Sequence, residues 1–396
     1  MNNDVLIIGN GFDLYHKLPT RYTDFLVVVE NWAEFWTLYR NNIKIEETEN
    51  EVERETFSVR LDENGRLTQR ALQDFANHAA NLNSQNLEEL NDIILKNIWI
   101  KYFVESGYSS DSWIDFEAEI EKVLITIEDF FTKDIFSCVG KVLFPTLPSN
   151  KAQIIKFIMT NVQSFRLNVR IVYKRDIENI VYGNSKTELL NVLKNELDGL
   201  IKAFRIYMTE FVCNIKPMVR CPQIEQLLDI NLLSFNYTYT YKSIYGNRNI
   251  NQHHQVHGSL QQDDMVLGVR DDAFENWDYI YFQKFFQRIQ KRTGAFYKAW
   301  IPQMRRSLED APIKVFIMGH SLGMTDKEIL KEFFYGKYVS EITIYYHNQY
   351  AYEQLVISLV NMFGKEFVIE QTGSNRIKFV QLDLPVENSL ENEMIS

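Results

Sequence analysis

Four apolar residues, Val5 to Ile8, stand between the charged Asp4 and Gly9 without a polar interruption. A short apolar run bounded in this way predicts a strand buried on both faces. The turn Gly9-Asn10-Gly11 and the segment LYHKLPTRYTDFL follow it, and then comes the polar stretch from Asn41 to Arg70, containing EETENEVERE. That stretch predicts a solvated loop or hairpin. From about residue 71 to 220 the apolar period becomes helical. Ser112 with Asp115 predicts a capping box, after which Phe116, Ile120, Val123, Ile127 and Phe130 recur at spacings of three and four. Ser185 with Glu188 predicts a second capped helix, whose stripe Leu189, Leu193, Leu197, Leu200, Phe204, Met208 and Phe211 ends before Pro217.

Strand patterns return from about residue 228. They are INLLSF (230–235), QVHGSL (255–260), MVLGV (265–269), KVFIMG (314–319), EITIYYH (341–347), EFVIEQ (366–371) and RIKFVQLDL (376–384). Between them lie a helix expected to be capped by Thr325 and Glu328 and another capped by Asn348 that runs to Gly364. The last residues, PVENSLENEMIS, are polar and predict a frayed end. Strands alternating with helices predict an α/β fold, a Rossmann-like open and mostly parallel sheet with helices on both faces. Because the first strand is at residue 5 and the others lie beyond 228, the sheet carries a large α-helical insertion. The expected division is a discontinuous nucleotide-binding domain, 1–28 and 228–396, around a helical insertion domain, 29–227. Ligands of such sheets sit at the carboxyl ends of the strands.

Composition narrows the class. The chain has 396 residues, 45% hydrophobic and 14% aromatic, which excludes a disordered protein. With 42 Lys and Arg against 53 Asp and Glu, its net charge of −11 opposes general nucleic-acid binding. No apolar run is long enough for a membrane span and no secretory leader is evident, so a cytoplasmic protein without membrane partners is expected. Cys138, Cys213 and Cys221 form no CxxC pair and read as small core residues.

Four strand ends carry candidate chemistry. Gly9-Asn10-Gly11 fits a phosphate-binding turn and a plain βα turn alike, and Leu14 stands where the dinucleotide fingerprint wants a third glycine. Asn236, in Ser234-Phe235-Asn236-Tyr237-Thr238, could orient a water or a sugar hydroxyl, or cap a turn. Tyr237, Tyr239 and Tyr241 beside it read equally well as packing residues. His257 is a candidate general base in a segment that also holds His253 and His254. On a strand, residues four apart lie roughly 13 Å from each other, which argues against one metal ion between His253 and His257. Gly319-His320-Ser321-Leu322-Gly323 fits a ribose loop, and it also matches the serine-nucleophile elbow, for which Asp326 and His347 would complete a triad. Two weaker features are Trp113, Asp115 and Glu117 in a first helical turn, and a basic segment of Lys284, Arg288, Lys291, Arg292, Lys298, Arg305 and Arg306. The simplest reading of the second is a solvated helix face.

Taken in order, IIGNGFDLYHKLPTRYTDFL, WIDFE, SFNYT, VHGS and MGHSLGMTD resemble the AbiH family, bacterial proteins associated with abortive infection by phage. The same set is similar, more remotely, to zinc-free sirtuin-like domains that hydrolyse NAD. Gly9, Asn10, Gly11, Phe12 and Asp13 would stand for the first sirtuin motif and Pro19 with Thr20 for the second. Asn236 and His257 would supply the next two, and Gly319, His320 and Ser321 the last. The chain departs from that pattern at Asp13, where a Ser is usual, and at Thr238, where an Asp is usual. The resemblance implies a sirtuin-like fold with NAD as substrate and no metal, Asn236 and His257 as catalytic residues, and the glycine loop, Pro19, Thr20, Thr238 and residues 319 to 321 around the dinucleotide. NAD or an ADP-ribose-like nucleotide is then the ligand, with a homo-oligomer or a second defence protein as partner. A nucleotide-sensing or partner-binding module without turnover is the alternative, and a serine hydrolase centred on Ser321 is the third.

Overall fold

A computed structural model describes residues 4–46, 58–107, 115–132, 149–162, 182–246, 250–300 and 312–387. Its centre is a parallel sheet of six strands: β1 (Val5–Ile8), β2 (Ile230–Ser234), β3 (Ile250–Gln255), β4 (Ile313–Met318), β5 (Val339–Tyr346) and β6 (Ile377–Gln381). Every pairing is parallel, and the order across the sheet is β3-β2-β1-β4-β5-β6. That is the doubly wound order of dinucleotide-binding sheets, with the switch point between β1 and β4. The expected Rossmann-like sheet is therefore present.

Side chains alternate along each strand, so a central strand must be apolar on both faces. Val5 and Ile7 join Leu233, Val315, Ile317, Ile342 and Ile344 on one face, and Leu6 and Ile8 join Ile230, Leu232 and Met318 on the other. The connection from β1 to β2 carries helices α1 (Asn10–Tyr15), α2 (Tyr22–Glu30), α3 (Trp32–Glu46), α4 (Gln69–Asn77), α5 (Ser84–Lys96), α6 (Ile98–Glu105), α7 (Phe116–Thr132), α8 (Ser149–Asn161), α9 (Tyr182–Glu210) and α10 (Pro222–Glu225). Beyond β2 lie α11 (Thr240–Tyr245), α12 (Lys284–Gln290), α13 (Lys327–Phe334), α14 (Gln349–Phe363) and α15 (Lys365–Gly373). Helices α13 and α14 cover the first face of the sheet through Leu330, Phe333 and Leu359, and Phe12 and Tyr241 cover the second.

The long connection has its own core, in which Phe116 stacks on Phe103 and Tyr22 with ring centroids 4.0 and 4.3 Å apart. This core also takes in Phe25 and Leu26 ahead of residue 29, and Leu260, Met265, Leu267, Val269, Tyr279 and Phe282 far beyond residue 228. Among the described residues no helix is long and apolar enough to cross a membrane.

Several local expectations need correction. EFVIEQ lies within α15, where Val368 is the buried residue, so its β-branched run does not make a strand. MVLGV is buried against the helical core and contributes only the isolated bridge of Val269 to Gln283. β3 occupies 250–255 rather than 255–260; as an edge strand with the sequence INQHHQ it gives little apolar signal. Asn41 to Glu46 continue α3 instead of forming a loop. Asp115 itself caps α7, its Oδ1 accepting from the amides of Glu117 at 2.9 Å and Ala118 at 3.2 Å, while Ser112 and Trp113 lie outside the described residues. α9 starts at Tyr182, ahead of Ser185, and α13 follows a 3-10 turn over Met324–Asp326 rather than a Thr325 cap. The Asn348 cap stands, accepting from the Ala351 amide at 2.9 Å. Val386–Glu387, from the tail read as frayed, pairs antiparallel with Val219–Arg220. Cys221 is buried but Cys213 is exposed, and Cys138 lies outside the described residues.

Candidate active site at the carboxyl edge of the sheet

The loop after β1 and the loop after β4 touch through their glycines. The Gly11 amide donates to the Gly319 carbonyl at 2.8 Å, and a Cβ at Gly9 would lie 2.7 Å from the Cα of His320. Gly319 has φ +70°, and a Cβ there would stand 2.0 Å from the Phe12 nitrogen. The glycines at 9, 11 and 319 are thus required by backbone meeting backbone. The Gly11 and Phe12 amides are both taken, the second by the Gly9 carbonyl at 2.8 Å, so neither is free for the phosphate that the turn suggested. Asn10 accepts from the Thr20 hydroxyl at 2.6 Å, and the Pro19 carbonyl accepts from Tyr207 of α9 at 2.5 Å. Pro19 and Thr20 therefore hold the loop against the helical core.

Next to this joint lies a buried acid. Asp13, 1% exposed, accepts from the Thr238 hydroxyl at 2.6 Å, and Thr238 accepts in turn from Thr240 at 3.0 Å. Burial raises its carboxyl to about 6, and the Thr238, Thr240 and Asn236 side chains keep it from rising further. Asn236 is 4% exposed, and neither atom of its amide makes an aligned hydrogen bond, although it stands close enough to Asp13 to favour the ionised acid. The Gln255 amide clamps this loop by donating to the carbonyls of Asn236, Tyr237 and Thr238, each at 3.2 Å. Tyr237 donates to the Val266 carbonyl at 2.8 Å, which ties the loop to the helical core.

Ser234 pairs with Gln255 across β2 and β3, so Asn236 and His257 each stand two residues past a matched pair. His257 is buried, its Nε2 3.0 Å from Oδ1 of Asp326. Burial and the nearby Lys284 lower the imidazole to about 4 against the pull of Asp326. At neutral pH the ring is uncharged, the ionised Asp326 fixes the proton on Nε2, and Nδ1 carries a lone pair. His320 uses Nδ1 to accept from the Leu322 amide at 2.9 Å and turns Nε2 to the other oxygen of Asp326 at 3.5 Å. Phe235 meets both rings edge-on, at 5.3 and 4.3 Å.

Asp326 is the hub of a charge network that sequence reasoning missed. Lys284, 1% exposed, reaches Asp326 at 3.3 Å and Glu117 of α7 at 2.8 Å. One ammonium cannot neutralise two buried carboxylates. Burial alone would raise Asp326, but Lys284 and the hydrogen bonds from His257 and His320 outweigh it and hold the acid well below its ordinary value. Glu117 goes the other way: burial raises it to about 8, opposed by Lys284 and assisted by Asp115 and Asp326. Lys284 itself is raised, the two acids outweighing burial. Near neutrality the network reads as ionised Asp326, charged Lys284 and protonated Glu117. The basic segment is accordingly only in part the solvated face expected: Arg292 and Lys298 are exposed, but besides Lys284, Arg288 pairs with Asp271 at 2.7 Å, and Lys291 donates to the Met265 carbonyl. Arg305 and Arg306 lie outside the described residues.

Ser321 and His347 are exposed, and among the described residues no hydrogen bond joins Ser321 to a histidine. Asp326, the acid such a triad would need, serves His257 and Lys284. His254 is a packing residue, its Nε2 3.0 Å from the Thr293 carbonyl and its ring stacked on Tyr297.

The family model for bacteriophage abortive infection AbiH matches residues 5–347, from β1 to the end of β5. The chain belongs to the AbiH family. No curated protein and no solved structure matches it. The matched span holds every residue of the network just described, including Glu117 in WIDFE and Asp326 in MGHSLGMTD.

Proposed function

We propose that this AbiH protein acts in anti-phage abortive infection as an NAD glycohydrolase, releasing nicotinamide and ADP-ribose. The observation that supports the reading is Asn236: a buried amide with no aligned partner, at the carboxyl edge of a sheet with dinucleotide-binding strand order, in register with a neutral His257. In the reaction the bond from C1′ of the ribose to the nicotinamide nitrogen breaks, and its electron pair neutralises the pyridinium. The ribosyl carbon becomes an oxocarbenium-like electrophile, so the attacking water needs placement more than activation. The Asn236 amide holds that water or a ribose hydroxyl. As the new C–O bond forms, Nδ1 of His257 takes the water's proton and passes it to solvent. A base held at about 4 is weak, yet sufficient for a water already bonding to a cationic centre.

The dinucleotide would lie along the carboxyl edge of the sheet beside Asn236 and His257, flanked by His320 and Ser321. The site residues named are nearly all buried, so substrate entry requires the strand-end loops to part from the helical core. That burial equally favours a second reading, a nucleotide-sensing module in which Asn236 binds without turnover. The deciding measurement is NAD content in phage-infected bacteria that carry the protein. NAD should fall in cells with the unaltered chain and hold in cells with Asn236→Ala or His257→Ala. Protection from phage with NAD undiminished would reject the hydrolase.

A further inference from the structure

Asp13 lies on α1, 1% exposed, and among the described residues no lysine, arginine or histidine forms an ion pair with it. One of its oxygens is served by the hydroxyl relay from Thr240 through Thr238, and the other, Oδ1, has no hydrogen bond. The Asn236 amide beside it makes no aligned hydrogen bond through either atom, although it stands within reach of Asp13. Buried polar atoms are rarely left so, because each unmade bond costs about 1–3 kcal/mol. Two neighbouring residues, close enough for the amide to favour the ionised acid, therefore offer two acceptors and an amide donor that make no aligned bond within the protein. Vicinal hydroxyls on a sugar, each able to donate and to accept, match that set.

We propose that Asp13 is a catalytic residue of this site, its free carboxylate oxygen accepting the 2′-hydroxyl of the reacting ribosyl group and its charge stabilising the oxocarbenium-like centre as the leaving group departs. This rests on the glycohydrolase reading for the bond that is cleaved. No bond to Asp13 forms: the C1′–N bond breaks toward nicotinamide, and the carboxylate offsets the positive charge left on the ring. The relay from Thr238 keeps the acid ionised at a depth where burial favours its neutral form.

The acid then leaves a signature in the pH dependence. Asp13 acts as the anion, so activity rises with pH through about 6. The groups around it do not titrate between pH 5 and 7: the Cys213 sulfur, turned from water although the residue has an exposed surface, is held at about 11 with Asp13 and Glu210 adding to the rise, burial holds Tyr241, which packs on Phe12, at about 12, and it holds His16, just past the end of α1, and His257 at about 4. Glu117, at about 8, belongs to the alkaline limb.

The experiment follows nicotinamide release from NAD by the purified full chain between pH 5 and 9, with ADP-ribose binding measured beside it. Asp13→Asn should lower kcat on the order of 100-fold, as expected for loss of one charge aimed at a transition state, with KM changed far less, and should abolish the acid limb. Thr238→Val should move that limb to higher pH and Thr238→Ser should restore it, which a structural role alone would not do. These two variants carry the test if Asp13→Asn does not fold. An unaltered acid limb in Asp13→Asn, with the parent active, overturns the role of Asp13 and leaves the hydrolase standing. ADP-ribose binding without turnover, lost in Asp13→Asn, rejects the hydrolase and keeps the contact to ribose. A parent chain that neither releases nicotinamide nor binds ADP-ribose overturns both.

Discussion

Replacing Lys284 by Met should destabilise the protein far more at pH 8 than at pH 5. The methionine fills most of the lysine's volume, so the change is chiefly electrical: Asp326 keeps its buried position, loses the ammonium at 3.3 Å, and retains only two imidazoles. Breaking a buried pair by removing one partner costs ~3–5 kcal/mol. At ~2.1 cal/mol/K of unfolding entropy per residue, that is about 4–6 °C of Tm for a single cooperative transition of a chain this long. The sign with pH follows from Asp326. In the parent its folded value is depressed, so it contributes stability above its unfolded value of 3.8. In Lys284→Met its folded value is raised, so the variant loses stability as pH climbs from about 4 through that new value. The gap between the two proteins therefore widens from pH 5 to pH 8. Adding Asp326→Asn to Lys284→Met removes the stranded charge and should recover part of the loss. Differential scanning calorimetry of the three proteins at both pH values is the assay. An equal Tm gap at pH 5 and pH 8, or a double variant as unstable as the sum of its parts, would refute the network as an electrostatic unit.

Gly319→Ala should cost at least ~2 kcal/mol in urea unfolding, since it combines a positive φ with a Cβ 2.0 Å from the Phe12 nitrogen. Gly323→Ala, whose Cβ would meet nothing closer than 3.4 Å, is the control and should be near neutral; similar losses in the two would remove the interlocking of the loops as the explanation. The rings of His16, His253 and His257, each held near 4 by burial, should show no NMR titration between pH 8 and 5. Each lowered histidine withdraws stability as pH falls from about 6.5 toward 4, because the unfolded chain takes a proton that the folded chain refuses; a midpoint near 6.5 for His257 would contradict its burial against Lys284.

Central strands were readable because a strand apolar on both faces leaves an uninterrupted run, as in VLII and INLLS. Periodicity has no purchase on INQHHQ, an edge strand whose pairing is made by backbone, and it misreads EFVIEQ, where one inward valine suffices for an amphipathic turn. Asn236, His257 and the loop at 319 were findable because they follow apolar runs directly. Lys284 and Glu117 were not. Each sits on a helix whose local sequence explains a charge as solvated or as a favourable first-turn acid, and only the fold brings them to Asp326. Similarly, the departures at 13 and 238 from the sirtuin pattern look independent in sequence, yet Asp13 and Thr238 are the two ends of one hydrogen bond.

The central place of β1 sets a timetable for synthesis. Val5 pairs with Asn231 on one side and Val315 on the other, so the first strand made waits through most of synthesis for its second neighbour. At ~5–20 residues per second, ribosomes take roughly 15–60 s to reach the second partner, during which the helical insertion can fold while the sheet cannot close. Asp326, which orients His257, emerges later still. A chain cut short before residue 315 therefore lacks both the second neighbour of its first strand and the acid that orients His257.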